Sequence, residues 1–80
     1  MKEAERIQAE IQNVIGDDPT IRDANHIIVT VEHKSIWKGG GEIVVLNGRV
    51  HSELDKAKVS RLAQMHAAGR EVRDAITVIT

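Results

Sequence analysis

The feature that most constrains the fold is the stretch from Glu42 to His51, with the sequence EIVVLNGRVH. Side chains of a β-strand alternate between its two faces. The even positions therefore form one largely aliphatic face, made of Val44, Leu46, Gly48 and Val50. Three large aliphatic side chains on one face require a hydrophobic layer against them. Gly48 has no side chain and leaves room for another backbone or a helix to come close.

The residues on either side predict one helix and two further strands. Apolar residues at three- and four-residue spacing predict a helix from Glu3 to Ile15 with one buried stripe, and Gly16 as a left-handed C-cap. The stripe consists of Ala4, Ile7, Ile11, Val14 and Ile15. Alternating β-branched residues predict strands over His26 to Lys34 and Val72 to Thr80. The glycine-rich segment 35–41, SIWKGGG, is then a long, flexible hairpin loop.

A second helix is predicted directly after the Glu42 strand. Ser52 is a good N-cap, and the helix runs from Glu53 to Ala68 and ends at Gly69. Its apolar residues fall within one arc of a helical wheel, which is predicted to be buried: Leu54, Ala57, Leu62, Met65 and Ala68, with Val59 and Ala63 at the edge of the arc.

The order of elements is therefore αββαβ, and the fold class is α+β. We expect a single domain over residues 1–80, with a three-stranded sheet and two helices packed on one face of it. A domain of 80 residues buries only about 60% of the surface of its unfolded chain, so it has no space for a large enclosed active site.

Composition and charge exclude several classes of protein. The net charge of −1 and the single aromatic residue argue against nucleic-acid binding. Without cysteine there is no disulfide framework and no thiolate nucleophile. The N-terminal run lacks the apolar core of a signal peptide, and no stretch approaches the ~20 apolar residues of a membrane span.

In motifs and element order the chain resembles the BON family, named for bacterial osmotically induced and nodulation proteins. The predicted strand from Glu42 to His51 matches V-x-L-x-G-x-V at its even positions 44–50, and Ser52 then begins a helix. The last strand matches V-x-[N/D]-x-[I/L]-x-V at Val72, Asp74, Ile76 and Val78. The resemblance implies a binding module without catalytic residues, associated with phospholipid or membrane surfaces, often in the bacterial periplasm.

Trp37 and several basic residues are the candidate contacts with an anionic lipid surface: Lys38, Lys56, Lys58, Arg61 and Arg70. Tryptophan and lysine at a loop tip are typical of membrane interfaces. The favoured alternative for Trp37 is burial, with Ile36, as a lid over the end of the sheet. The alternative for the helix residues is a solvated charged face with local pairs such as Asp55 with Lys58.

The outer face of the sheet suggests a different function, a protein–protein or self-association module. The predicted partner-facing residues lie opposite the helices: Ile28, Ile43, Val45, Arg49 and Ile79. We expect them to expose more aliphatic surface than a lone monomer needs. A homo-oligomer or a protein partner would cover it.

No motif indicates a metal, a cofactor or an enzymatic reaction. The histidines lack the spacing of zinc ligands: His26, His33, His51 and His66. The three glycines before Glu42 lead into a strand, whereas a phosphate-binding loop leads into a helix. Asp17 and Asp18 before Pro19 suffice as turn residues.

Overall fold

The computed structural model describes residues 3–22, 24–35, 37 and 39–79. Its helices and strands are α1 (Glu3–Gly16), β1 (Ile28–His33), β2 (Glu42–Val50), α2 (Glu53–His66) and β3 (Glu71–Val78). A short 3-10 helix, Ala24–His26, precedes β1. The predicted element order and the α+β class are confirmed.

The three strands form one mixed sheet in the order β1-β2-β3. β1 is antiparallel to β2, with Val29 opposite Leu46, and β3 is parallel to β2, with Val72 opposite Val44. A hairpin can join antiparallel neighbours, whereas a parallel pair needs a crossover, which α2 supplies. β2 is therefore the central strand and pairs along both of its edges.

Both helices pack against the even-numbered face of β2, where Val44, Leu46 and Val50 are fully buried. The shared core includes the predicted stripe of α1 and one residue from each outer strand: Ile7, Ile11, Ile15, Val29 and Ile76. The predicted aliphatic face of the central strand is confirmed.

Gly48 brings the backbone before β1 close to β2. Its φ is +126°, and a Cβ at this position would overlap the carbonyl oxygen of His26 and lie 3.0 Å from the Cα of Ile27. Only glycine fits both the backbone angle and the space. The prediction that Gly48 permits a close backbone approach is confirmed.

The helix ends differ from the sequence prediction. Gly16 is the last residue of α1 and has no positive φ, so the predicted left-handed cap is wrong. α2 ends at His66 rather than at Ala68. Ala68, with φ 55°, and Gly69, with φ 82°, then turn the chain into β3. The start of α2 is as predicted, because the Ser52 side chain accepts a hydrogen bond of 3.1 Å from the backbone N–H of Asp55.

The rotation of α2 about its axis also differs from the prediction. The buried residues recur every fourth position: Asp55, Val59, Ala63 and Ala67. The predicted buried arc is wrong at Leu54 and Met65, which are largely exposed. Leu62 of that arc packs partly against the core, and Val59 and Ala63, predicted at its edge, are fully buried. At about 100° per residue, Leu54 and Ala63 lie on opposite sides of the helix. The packed face carries the smaller apolar side chains, which leave room for the helix backbone to approach the sheet.

The loop between β1 and β2 is closed by backbone hydrogen bonds. The N–H of Lys34 donates to the carbonyl of Gly41 at 2.9 Å, and the N–H of Gly40 donates to the carbonyl of Ser35 at 3.0 Å. The loop's three glycines all have positive φ, which explains why this segment is glycine-rich.

Candidate functional site

α2 presents to solvent a face that combines apolar and basic side chains. Leu54 is 65% exposed and Met65 is 69% exposed. Arg61 is exposed and Lys58 is partly exposed, and their spacing places them on the same side of the helix. We call these four residues the outer α2 face: Leu54, Lys58, Arg61 and Met65.

The charges of the outer α2 face are largely free. Lys58 lies near Asp18, whose carboxylate accepts hydrogen bonds of 2.6 Å from the hydroxyl and 2.8 Å from the N–H of Thr20. The Thr20 hydroxyl, the Thr20 N–H and, to a smaller extent, Lys58 lower the pKa of Asp18. Within the described ranges no ion pair joins Lys58 to Asp55, which is buried at the start of α2.

Lys56 and Arg61 line a shallow cleft of about 360 Å³ between α2 and β3. Neither has an ion pair with another residue that the structure describes. Asp74 lines the same cleft from β3, where its carboxylate accepts a hydrogen bond of 3.0 Å from the N–H of Ile76. Glu53 of α2 also lines the cleft, so the two predicted lipid contacts lie beside two carboxylates.

Trp37 is 91% exposed in the loop between β1 and β2. The expectation that it covers the end of the sheet is therefore wrong, because the loop holds its ring away from the core. Ile36 and Lys38, which were predicted to act with Trp37, lie outside the described residues. The exposed tryptophan favours the membrane-contact interpretation over the buried lid.

Arg70 belongs to the internal packing of the domain. Its guanidinium is only 17% exposed and lies 2.7 Å from the carboxylate of Glu42 and 3.7 Å from that of Glu3. It lines an open cleft of about 610 Å³ at the hairpin end, where Lys34 pairs with Glu71 at 3.1 Å. Because its charge is already satisfied, Arg70 ties α1 to β2 and is a poor candidate for lipid contact.

The outer face of the sheet is better covered than the alternation suggests. Ile43 is 7% exposed and Val45 is 2% exposed, although both point away from the helices. Their neighbours on the adjacent strands have longer or branched side chains, and Arg73 and Glu32 reach across the face to within 3.9 Å of each other. The expectation that Ile43 and Val45 are exposed is wrong. Aliphatic exposure on this face is concentrated at Ile28 and Ile79.

The outer edge of β1 is covered by two glutamines of α1, which the sequence alone did not indicate. Gln12 of α1 donates a hydrogen bond of 2.8 Å to the carbonyl of Ile27 and accepts one of 3.0 Å from the N–H of Val29. Gln8 accepts a weaker one from the N–H of Val31 at 3.3 Å. The available signal was a pair of glutamines four residues apart, next to the buried stripe of α1. These side chains cover part of the outer edge of β1.

The described ranges contain no group of three or more histidine, aspartate or glutamate residues placed to hold a metal ion. None of the described helices is long and apolar enough to cross a membrane.

Comparison with known families supports the assignment suggested by the strand motifs. The family model described as BON domain matches residues 3–80, which is nearly the whole chain. A search of curated proteins finds no match to the chain. BON domains are generally non-catalytic binding modules. From its matching residues and its αββαβ order, the chain belongs to the BON domain family.

Proposed function

We propose that this domain associates weakly with anionic phospholipid surfaces of the bacterial envelope, using the outer α2 face as its main contact. The observation that carries the proposal is the exposure of Leu54 and Met65 on the side of α2 that also presents Lys58 and Arg61. A helix lying on a membrane needs this combination, since apolar side chains enter the acyl boundary while cations meet phosphates.

The geometry of α2 suits contact along its length. Leu54 and Met65 are separated by about 16 Å along the helix axis, with the two basic residues between them. Each basic residue near an anionic surface contributes about 1 kcal/mol, which falls as salt screens the charge. Leu54 and Met65 each contribute at most about 2 kcal/mol by leaving water. Binding is therefore weak and salt-sensitive.

Trp37 provides a second contact at the hairpin end. The base of its loop and the turn after α2 line the same cleft, through Gly40 and Gly69. The loop therefore lies at the end of the molecule where Met65 and the last turn of α2 are found. A ring that is 91% exposed there is free to settle among lipid headgroups.

Vesicle co-sedimentation tests the proposal. The domain should sediment with vesicles of phosphatidylglycerol and phosphatidylcholine at low salt, less at high salt, and little with phosphatidylcholine alone. Leu54→Ser with Met65→Ser should abolish sedimentation. The matched control is Ile28→Ser with Ile79→Ser, which removes two exposed aliphatic residues from the outer face of the sheet and should leave sedimentation unchanged.

Fluorescence offers an independent measurement, because Trp37 is the only tryptophan. Its emission should shift to shorter wavelength when anionic vesicles are added and should not shift with neutral ones. Equal sedimentation of the wild type and the Leu54, Met65 double variant, or no sedimentation with acidic vesicles at low salt, would contradict the proposal.

A further inference from the structure

We propose that the outer face of the sheet, at the end away from the hairpin, binds a phosphate-type oxyanion. The site is an open depression of about 400 Å³ lined by His26, Gly48, Arg49, Thr77 and Ile79. It lies on the side of the sheet opposite the helices, so it is separate from the outer α2 face and independent of the membrane proposal.

The backbone places three hydrogen-bond donors around this depression. Arg49 and Thr77 are direct neighbours in the register of β2 and β3, and adjacent strands lie about 4.8 Å apart. His26 ends the short 3-10 helix before β1, and its carbonyl packs against Gly48, next to Arg49. The close approach that requires a glycine at position 48 therefore also brings the imidazole of His26 to the site.

The electrostatics of the depression favour an anion. Arg49 is exposed, and its guanidinium has no ion pair or hydrogen bond with a side chain or backbone group of the residues that the structure describes. The five lining residues include no carboxylate. The acidic residues Glu32 and Glu71 of the same face are opposite Ile43, at the hairpin end. The charge of Arg49 is therefore available to a ligand.

The number of donors fits a tetrahedral oxyanion better than a carboxylate. The guanidinium of Arg49 can donate two parallel N–H bonds to two oxygens. The hydroxyl of Thr77 and an imidazole N–H of His26 remain as donors to further oxygens. A carboxylate has only two oxygens, whereas a phosphate group has enough for all of these donors. Ile79 forms an apolar wall, which suits a phosphate ester with a small organic group.

A bilayer held by the outer α2 face cannot also reach the opposite side of the sheet. The phosphate group is therefore expected on a soluble ester, and a lipid headgroup is the alternative source. The ¹⁵N-labelled domain is titrated with inorganic phosphate, glycerol 3-phosphate and acetate and, in a separate arm, with phosphatidic acid vesicles. Amide chemical shifts at the site then show whether it binds the phosphate of a soluble ester or that of a lipid headgroup.

We expect saturable shifts at His26, Arg49 and Thr77 with a Kd of about 1 mM for phosphate, and weaker binding of acetate. Arg49→Gln should weaken phosphate binding about tenfold, since it removes a charge-assisted pair of hydrogen bonds. Thr77→Val should weaken it less. Arg73→Gln, which changes another exposed arginine of the same face, is the matched control and should have no effect.

The spectra themselves report whether each variant remains folded. Shifts that do not saturate, equal effects of Arg49→Gln and Arg73→Gln, or acetate binding as tight as phosphate would each overturn the proposal. Shifts at the site with phosphatidic acid vesicles, but not with glycerol 3-phosphate, would overturn the assignment to a soluble ester.

Discussion

The carbonyl oxygen of His26 occupies the space in which a side chain on Gly48 would begin. This contact joins the 3-10 helix before β1 to the central strand, next to Asn47, which is opposite Ile28 where β1 begins to pair. The carbonyl of His26 therefore explains why the family motif has a glycine at this position. Replacing Gly48 with a larger residue should lower the stability of the fold.

Gly48→Ala should destabilise the domain by about 3 kcal/mol, because the new methyl group overlaps backbone and the φ of +126° is strained for alanine. Urea denaturation followed by circular dichroism measures the change. Gly16→Ala is the control, since a Cβ there meets nothing within 4 Å and the φ of Gly16 is not positive. It should change the free energy of unfolding by less than about 1 kcal/mol. Similar stability changes for both variants would contradict the prediction.

The rotation of α2 predicts opposite results for two apolar truncations on one helix. Val59→Ala should cost about 2 kcal/mol, because Val59 is fully buried against the sheet. Leu54→Ala removes a larger side chain but should change the free energy of unfolding by less than about 0.5 kcal/mol, because Leu54 is exposed. Chemical denaturation measures the free energy of unfolding of both variants. A larger loss for Leu54→Ala than for Val59→Ala would contradict the prediction and would mean that α2 packs with the face expected from sequence.

Arg70 is expected to support stability and not lipid contact. Arg70→Gln should destabilise the domain by about 2 kcal/mol, since it removes a charge-assisted hydrogen bond of 2.7 Å to the poorly exposed Glu42. Arg73→Gln should have almost no effect, because Arg73 and Glu32 are more than half exposed and 3.9 Å apart. Folded Arg70→Gln protein should sediment with anionic vesicles as the wild type does. If Arg70→Gln is as stable as the wild type but no longer sediments with anionic vesicles, Arg70 contacts lipid and the prediction is wrong.

The lowered pKa of the Asp18 carboxyl predicts a small loss of stability in acid. The hydrogen bonds from Thr20, with help from Lys58, hold the pKa of Asp18 below its ordinary value of 3.8. A lowered carboxyl pKa stabilises the folded state above pH 3.8, and that contribution is lost as the pH falls through the folded-state pKa. Asp18→Asn should therefore be less stable than the wild type at neutral pH, with the difference shrinking in acid. The measurement is urea denaturation over a pH series with Asp17→Asn as control, and a difference that does not change with pH would contradict it.

The strands and α1 were predictable from sequence because their signals are local. Alternation identified the buried face of β2 and the position of Gly48, and the spacing of isoleucines identified the buried stripe of α1. A good N-cap residue was enough to place the start of α2 at Ser52. None of these predictions depends on residues far away in the chain.

The candidate site was harder to predict because burial depends on neighbours that only the fold brings together. The large side chains of α2 suggested the wrong packed face, since the helix presents smaller residues to the sheet. Trp37 was expected to be buried because tryptophan usually is. The partner of Arg70 is Glu42, which is distant in sequence, and the cover over Ile43 and Val45 comes from adjacent strands.

The glutamines of α1 also limit how many further strands the domain can accept. Adding a strand requires free backbone groups along an edge, and on the β1 side Gln8 and Gln12 already occupy groups of Ile27, Val29 and Val31. β1 is therefore closed to an added strand as long as α1 stays in place. A fibre that grows by edge-to-edge pairing of folded domains needs both edges of every sheet to be open, so the covered β1 edge alone prevents it.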